Sequence, residues 1–387
     1  MTDTQVVTAT AEPRRARRSR WSRWATWSVL SASVAWLVFV ALHRALSGRV
    51  WWWQVPELLP PIVFAVVPVL LLAVALPARL ARGWITAVTL ASVVLGGGVS
   101  GLNPASLWHR SAPAPADAIT VFSWNTWYWD QPAAGGAMPP PTGTPPREIA
   151  DFYRYLRDQR ADVYLLQEYV YFGRDSKPIR VDDEARLRRE FPGYHIAVAS
   201  EMVTVSRFPI VSERGVDLRP WLPEERDVTI PSSPDLPDFS TVKTLRTDVR
   251  VGDGTVSFYN AHINSPVDAS PPGLDPRRLN RTQHELRQAN LRALAADVEK
   301  NPHPAVLAGD FNASPAMGIM RLMPDRMVDA TPVLGSLYPT SWDDRWPLWR
   351  IDWAFTTPDV TVHRYELVRS KGLSDHSGQR LVVSTSP

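Results

Sequence analysis

The 387-residue sequence predicts an α+β protein: two packed sheets flanked by helices, behind three membrane-crossing helices. Two observations after Ile119 predict the sheets, namely many short apolar runs of strand character and only two helical stripes. One observation predicts the crossings. Trp24 to Leu42, Leu58 to Leu76 and Trp84 to Leu102 carry no charge, and each nears the about 20 residues that span a hydrocarbon core. The expected organisation is a basic tail (1–23), an anchor (24–102), a linker (103–117) and an α+β domain (118–387).

Charge sets the sidedness of such an anchor. Arg14, Arg15, Arg17, Arg18, Arg20 and Arg23 precede the first run, and Arg79 and Arg82 lie between the second and third. Both groups belong on the cytoplasmic side, which places Trp51-Trp52-Trp53 and everything after Leu102 outside the cytoplasm. Pro60, Pro61 and Pro68 read as kinks, since no acid or base accompanies them within the run. Gly97 and Gly101 have the spacing that lets helices approach closely, for packing within the anchor or for dimerisation; the oligomeric state stays open. A net charge of +3 gives no global case for nucleic acid, and the absence of cysteine excludes disulfides, thiolate metal sites and cysteine nucleophiles.

Beyond the short extended linker Ser111–Asp117, a strand over Ile119–Trp124 ends in Asn125. A proline- and glycine-rich stretch, Asp130 to Pro146, follows as a long irregular loop. Arg147 opens a helix whose stripe is Ile149, Phe152, Tyr153 and Leu156. The strand Val163–Leu166 runs into Gln167-Glu168. Further strands are expected at His195–Val205, Leu245–Val251, Val256–Ile263, around Val306, at Ile351–Thr356, Val360–Val368 and Arg380–Ser384. A second helix covers His284 to Val298, while Glu213–Val242 and Ser265–Arg281 read as proline-rich surface insertions.

Several strands end in a chemically useful residue: Asn125, Glu168, His262, Asp310 with Asn312, Asp352, and Asp375 with His376. Residues i and i+2 of a strand share a face, so Asp310 and Asn312 can aim at one spot. Each residue alone has a plain structural role available: Glu168 as a helix cap, His262 as a satisfied core histidine, Asp352 in a strand-end ion pair. The joint layout, a polar group directly after each apolar run, favours a shared site.

These residues resemble the endonuclease/exonuclease/phosphatase superfamily, the deoxyribonuclease-like phosphoesterases. The resemblance runs through Ser123-Trp124-Asn125, Leu166-Gln167-Glu168, Ser206-Arg207-Phe208-Pro209-Ile210, Asn260-Ala261-His262, Gly309-Asp310-Phe311-Asn312, Arg350-Ile351-Asp352 and Ser374-Asp375-His376. It implies a four-layered α/β sandwich with the site at one end of two packed mixed sheets, and a divalent metal, Mg²⁺ or Mn²⁺. An oxygen-rich donor set without cysteine agrees with a hard cation. Glu168 is then the direct metal ligand, with Asn125 beside it and Asp375 as an additional one. Asp310 orients or deprotonates the attacking water, Asn312 bonds the same assembly, and His376, held by Asp352, contacts the phosphoryl group. His262 is a second phosphate contact or the acid for the leaving group. Trp127 stands where some DNA-repair relatives carry a second metal-site acid, which argues against a repair nuclease.

The expected function is a membrane-anchored, metal-dependent phosphatase or phosphodiesterase acting on a lipid-linked phosphate or pyrophosphate at the outer leaflet. The topology is similar to actinobacterial membrane phosphatases of the teicoplanin-resistance type. Trp127, Trp129, Trp221, Trp342, Trp346, Trp349 and Trp353 offer aromatic surface for a bilayer, about half of it core packing instead. An extracytoplasmic nuclease is the main alternative, using Arg277, Arg278, Arg281, Arg287 and Arg292, which a solvated helix face explains as well. The other alternative is an inactive signalling or scaffold protein, disfavoured because Glu168, Asp310 and His376 are all present.

Overall fold

The computed structural model describes residues 14–76, 81–110, 112–130, 148–173, 177–224, 233–267, 275–343 and 346–385, with side chains from residue 23 onward. The side chains of Arg14 to Arg20, Arg79, nearly all of Asp130–Pro146 and the middle of both expected insertions lie outside these residues. The chain forms two compact units, Met1–Ala45 with Ile62–Ser100, and Leu46–Pro61 with Gly101–Pro387.

The helices of the first third are α1 (Arg14–Leu46), the single turn α2 (Gln54–Glu57), α3 (Val63–Ala75) and α4 (Arg82–Gly96). In the first unit Val40, Phe64 and Ile85 are buried, and Phe64 packs against Trp36, Phe39 and His43. Arg23–Leu46 and Arg82–Val99 are long and apolar enough to cross a bilayer, with mean hydropathies of 1.8 and 1.3. The expected middle span is met only in part. Helix α3 has 13 residues, about 20 Å at the usual rise, against a core of about 30 Å. Pro60 and Pro61 hold the helix start back to Val63, and Leu58 packs into the core of the second unit instead.

Along the second unit run β1 (Ile119–Asn125), α5 (Ile149–Asp158), β2 (Val163–Gln167), β3 (Val170–Phe172), β4 (Pro178–Arg180), α6 (Glu184–Glu190), β5 (His195–Ala199) and β6 (Met202–Ser206). Then follow β7 (Ile210–Asp217), β8 (Val242–Val251), β9 (Gly254–His262), α7 (Pro276–Lys300), β10 (Ala305–Asp310), β11 (Val328–Asp329), β12 (Asp352–Thr356), β13 (Val360–Val368) and β14 (Gly378–Thr385). One sheet has the order β13-β14-β1-β2-β6-β5 and the other β11-β12-β10-β9-β8-β7. Both are mixed, because β1–β2 and β9–β10 are parallel pairs within otherwise antiparallel sheets.

Strand alternation builds the layers. Val121, Leu165, Phe258, Val306, Ala354 and Leu381 point inward and fill one core between the sheets. Phe122, Trp124, Tyr164 and Leu166 point outward and meet Phe152, Tyr153 and Leu156 of α5 and Leu187 of α6. On the far side Tyr259, Leu307 and Phe355 meet Leu291, Leu294 and Val298 of α7. The result is a helix–sheet–sheet–helix sandwich.

Three expectations shift. His195–Val205 is a hairpin of β5 and β6 rather than one strand. Helix α7 begins at Pro276, two turns before His284, with Asp275 accepting from the Arg277 N–H as its cap. Residues 210–217, which overlap the expected insertion, form β7, paired with β8.

Candidate active site

Sheet register assembles the site. Asp310 at the end of β10 stands opposite His262 of β9 on one side and Asp352 of β12 on the other. In the facing sheet Asn125 pairs with Gln167, and Glu168 follows directly. Asn260 joins the two sheets just below, donating to the Leu166 and Val203 carbonyls and accepting from Gln167 at 2.6 Å. Gly309 is required in β10: a Cβ there would lie 1.9 Å from the Ala261 carbonyl oxygen. The segment before β14 is pinned across the sheet, where Ser374 Oγ donates to the Asn125 carbonyl at 2.8 Å and Trp124 Nε1 to the His376 carbonyl at 3.1 Å.

Asp310 is the hub. Its Oδ2 accepts from Asn125 Nδ2 at 3.0 Å and Asn312 Nδ2 at 3.2 Å. His262 Nε2 and His376 Nε2 each lie 3.6 Å from the same oxygen. His376 Nδ1 meets Asp352 Oδ2 at 2.9 Å, the pairing that fixes an imidazole's orientation and leaves Nε2 facing the pocket. Burial depresses the His376 imidazole, but Asp352, Asp310 and Asp375 outweigh it and raise the group well above its ordinary range.

All eight sequence-nominated residues, Asn125, Glu168, His262, Asp310, Asn312, Asp352, Asp375 and His376, gather at this end of the sandwich. Asn125 differs in detail from its expected part. Its oxygen accepts from the Trp127 N–H, while its amide nitrogen donates to Glu168 Oε1 and Asp310 at 3.0 Å each. So placed, its amide nitrogen braces two carboxylates beside the expected metal position. Asp375 accepts from Trp342 Nε1 at 3.0 Å.

Two residues escaped the sequence reading. Glu201, in the β5–β6 turn, places Oε1 3.1 Å from His262 Nδ1. Lys243, at the start of β8, forms an ion pair with Glu201 and lies over the Phe239 ring. Burial pushes the Glu201 carboxyl up, yet Lys243 and His262 bring it down to about 2. His262 is depressed by burial and raised, on balance, by Glu201. The signal for Glu201 was faint, because an acid in a segment read as one continuous strand looks like a solvent-facing position.

The backbone around Glu168 is unusual. Trp127, Tyr128, Trp129 and Glu168 all have positive φ, between 53° and 64°, conformations that non-glycine residues hold only when their surroundings enforce them. The turn brings the Tyr128 N–H to Glu168 Oε2 at 2.9 Å, while Trp129 is buried among Phe152, Tyr153 and Tyr169. The site opens into a cavity of about 640 Å³ walled by Trp127, Tyr128, Phe172, Phe239 and Trp342.

The donor set fits a hard divalent cation. Glu168, Asp310 and Asp375 bring carboxylate oxygens to one pocket, and burial already raises the Glu168 carboxyl, with His262 only partly opposing. A cation would relieve that. Donor atoms of Asp310, Asp352 and His376 also lie within 4.8 Å of one another, but the direct Asp352–His376 bond leaves no room for an ion between those two.

Packed mixed sheets carrying paired histidines and carboxylates at one end define a class of hydrolase-like sandwich. The chain belongs to the endonuclease/exonuclease/phosphatase family, whose model matches residues 104–376. Similar solved structures include an endonuclease/exonuclease/phosphatase from Beutenbergia cavernae DSM 12333, 18% identical over 70% of this chain and 72% of that one, TM-score 0.47. A Bacteroides vulgatus family member is 15% identical over 70% and 99%, TM-score 0.48. A mannosyl-6-phosphatase from Bacteroides thetaiotaomicron VPI-5482 is 15% identical over 69% and 99%, TM-score 0.45. No match was found among curated proteins.

Proposed function

We propose that the protein is a membrane-anchored, divalent-metal-dependent phosphoesterase that hydrolyses a phosphate or pyrophosphate carried by a lipid at the outer leaflet. The observation that carries the reading is the Asp310 carboxylate, flanked by His262 and His376 at 3.6 Å each, with Glu168 across the pocket. Glu168, with Asp375 and Asn125, would hold Mg²⁺ or Mn²⁺, which supplies charge neutralisation at a phosphoryl oxygen. Asp310 orients the attacking water and takes its proton. His376, cationic through its bond to Asp352, sits against the negative phosphoryl oxygens. His262, held by Glu201, makes the second phosphate contact or protonates the leaving oxygen. The aromatic walls offer an apolar surface for the part of the substrate next to the phosphate.

A nuclease gains no support from the proposed basic stripe. Arg287 is buried rather than on a solvated face, and Arg281 is paired with Glu285. The test is phosphate release from a polyprenyl phosphate or pyrophosphate by the detergent-purified chain with Mg²⁺, against plasmid DNA as a control. We expect release to be abolished by His262→Ala and by Asp310→Asn, and by chelation, with the plasmid left intact. Full activity in both variants refutes the residue assignment, and plasmid cleavage without phosphate release refutes the substrate class.

A further inference from the structure

We propose that Leu46–Pro61, although it lies in sequence between two apolar helices, is a positioning element of the active site that acts through Arg287. The inference rests on the phosphoesterase reading only for its kinetic arm. The segment is bonded to each of three stretches that flank the catalytic strand ends. Ser47 Oγ accepts from the Gly318 N–H at 2.6 Å, on the stretch that follows Asp310 and Asn312. Gln54 Nε2 donates to the Pro266 carbonyl at 2.6 Å, on the stretch that leaves His262. The Leu58 carbonyl accepts from Trp349 Nε1 at 3.2 Å, just before Asp352.

The fit is tight at Gly48. Its φ is +70°, and a Cβ there would meet the Gly318 and Ile319 backbone at 2.4 Å. Its carbonyl accepts from Gln288 of α7 at 3.1 Å and its N–H donates to Glu57 at 2.6 Å. Arg287, the neighbour of Gln288 along α7, is buried at 2% exposure. Its Nη1 donates to the Asn264 carbonyl at 2.7 Å and to the Asn312 carbonyl at 2.9 Å, clamping the exits of β9 and β10 together. Burial lowers the Arg287 guanidinium to about 10, with Glu57 the first of the charges that offset it, ahead of Asp310. The segment's geometric hold on α7 is the Gly48–Gln288 bond beside Arg287; Glu57 is among the charges that bear on the buried cation, although burial raises its own carboxyl.

The experiment uses the full chain in detergent, with Gly48→Ala, Gln54→Ala, Glu57→Gln and Arg287→Lys. Phosphate release and amide hydrogen exchange are measured for each. We expect Gly48→Ala, Glu57→Gln and Arg287→Lys to lower kcat about tenfold with KM within about threefold, the pattern of misplaced catalytic groups. Exchange should rise around Asn264 and Asn312 while β1 and β2 keep their protection. Gln54→Ala, which removes one bond and adds no clash, should show the same pattern more weakly should Gly48→Ala fail to fold. Exchange rising only within residues 46–61, with kcat unchanged, overturns the proposal. A wild-type chain that releases no phosphate refutes the phosphoesterase reading instead, and the exchange data still decide the positioning role.

Discussion

Glu201 and Lys243 show how a catalytic-type histidine is held by charge that never reaches solvent. Both side chains are nearly fully buried, at 1% and 4% exposure, so their pairing is not screened. Glu201 drops from 4.5 to about 2 on folding, which corresponds to about 3 kcal/mol favouring the folded chain. Because the folded value lies below the unfolded one, this stability is present above about pH 4.5 and is lost as pH falls toward 2. Thermal melts across that interval should therefore show the wild type losing its advantage over Glu201→Gln. A constant difference between the two would contradict the assignment. Lys243→Met leaves Glu201 buried without its cation and should cost about 3–5 kcal/mol at neutral pH. At this scale the sequence was informative where a polar residue closed an apolar run, as at His262 and Asp310, whereas Asp352 opens β12 instead of ending a strand. It was silent where the residue sat in an unrecognised turn, as Glu201 does, because the chain partner that gives it meaning is Lys243, 42 positions away.

Strand β10 is the element on which both sides of the site depend. Its register with β9 and β12 sets His262, Asp310 and Asp352 in one row, at the usual spacing of about 4.8 Å between neighbours. Gly309 allows that row to close, since a Cβ would lie 1.9 Å from the Ala261 oxygen. Gly309→Ala must push β9 and β10 apart, and should cost about 3 kcal/mol while also separating His262 from Asp310. Denaturant unfolding and phosphate release, measured on the same preparation, check this. Wild-type values in both would show that the sheet can relax around the methyl group. The period-2 runs made the strands legible, whereas element ends were less so. The first two turns of α7 carry Arg277, Arg278 and Arg281 without an apolar stripe, so periodicity began only at His284. The cap Asp275-Pro276 was the better signal for the start.

For the whole molecule, the proposed anchoring makes the number of membrane crossings decide on which side the candidate site would work. Arg23–Leu46 and Arg82–Val99 have the length to cross, and Val63–Ala75 alone does not reach it. Three crossings from a cytoplasmic N-terminus put the catalytic unit outside, on the side of Leu46–Pro61, whereas crossings by α1 and α4 alone would part that segment from the Gly318, Pro266 and Trp349 groups it bonds. The apolar run Leu58–Leu76 suggested a full span in sequence, yet hydropathy cannot tell a residue that enters lipid from one such as Leu58 that packs into a protein core. Loop charge favours three crossings, with Arg82 on the cytoplasmic side. The chain contains no cysteine, so single-cysteine variants report sidedness without background. Asp253, exposed in the turn between β8 and β9, is suited to the outer test and Ser19 to the inner one. With three crossings, a membrane-impermeant maleimide labels Asp253→Cys in intact cells and Ser19→Cys only after permeabilisation. Protection of both positions until permeabilisation overturns the outward-facing arrangement, and the substrate must then be sought on the cytoplasmic face.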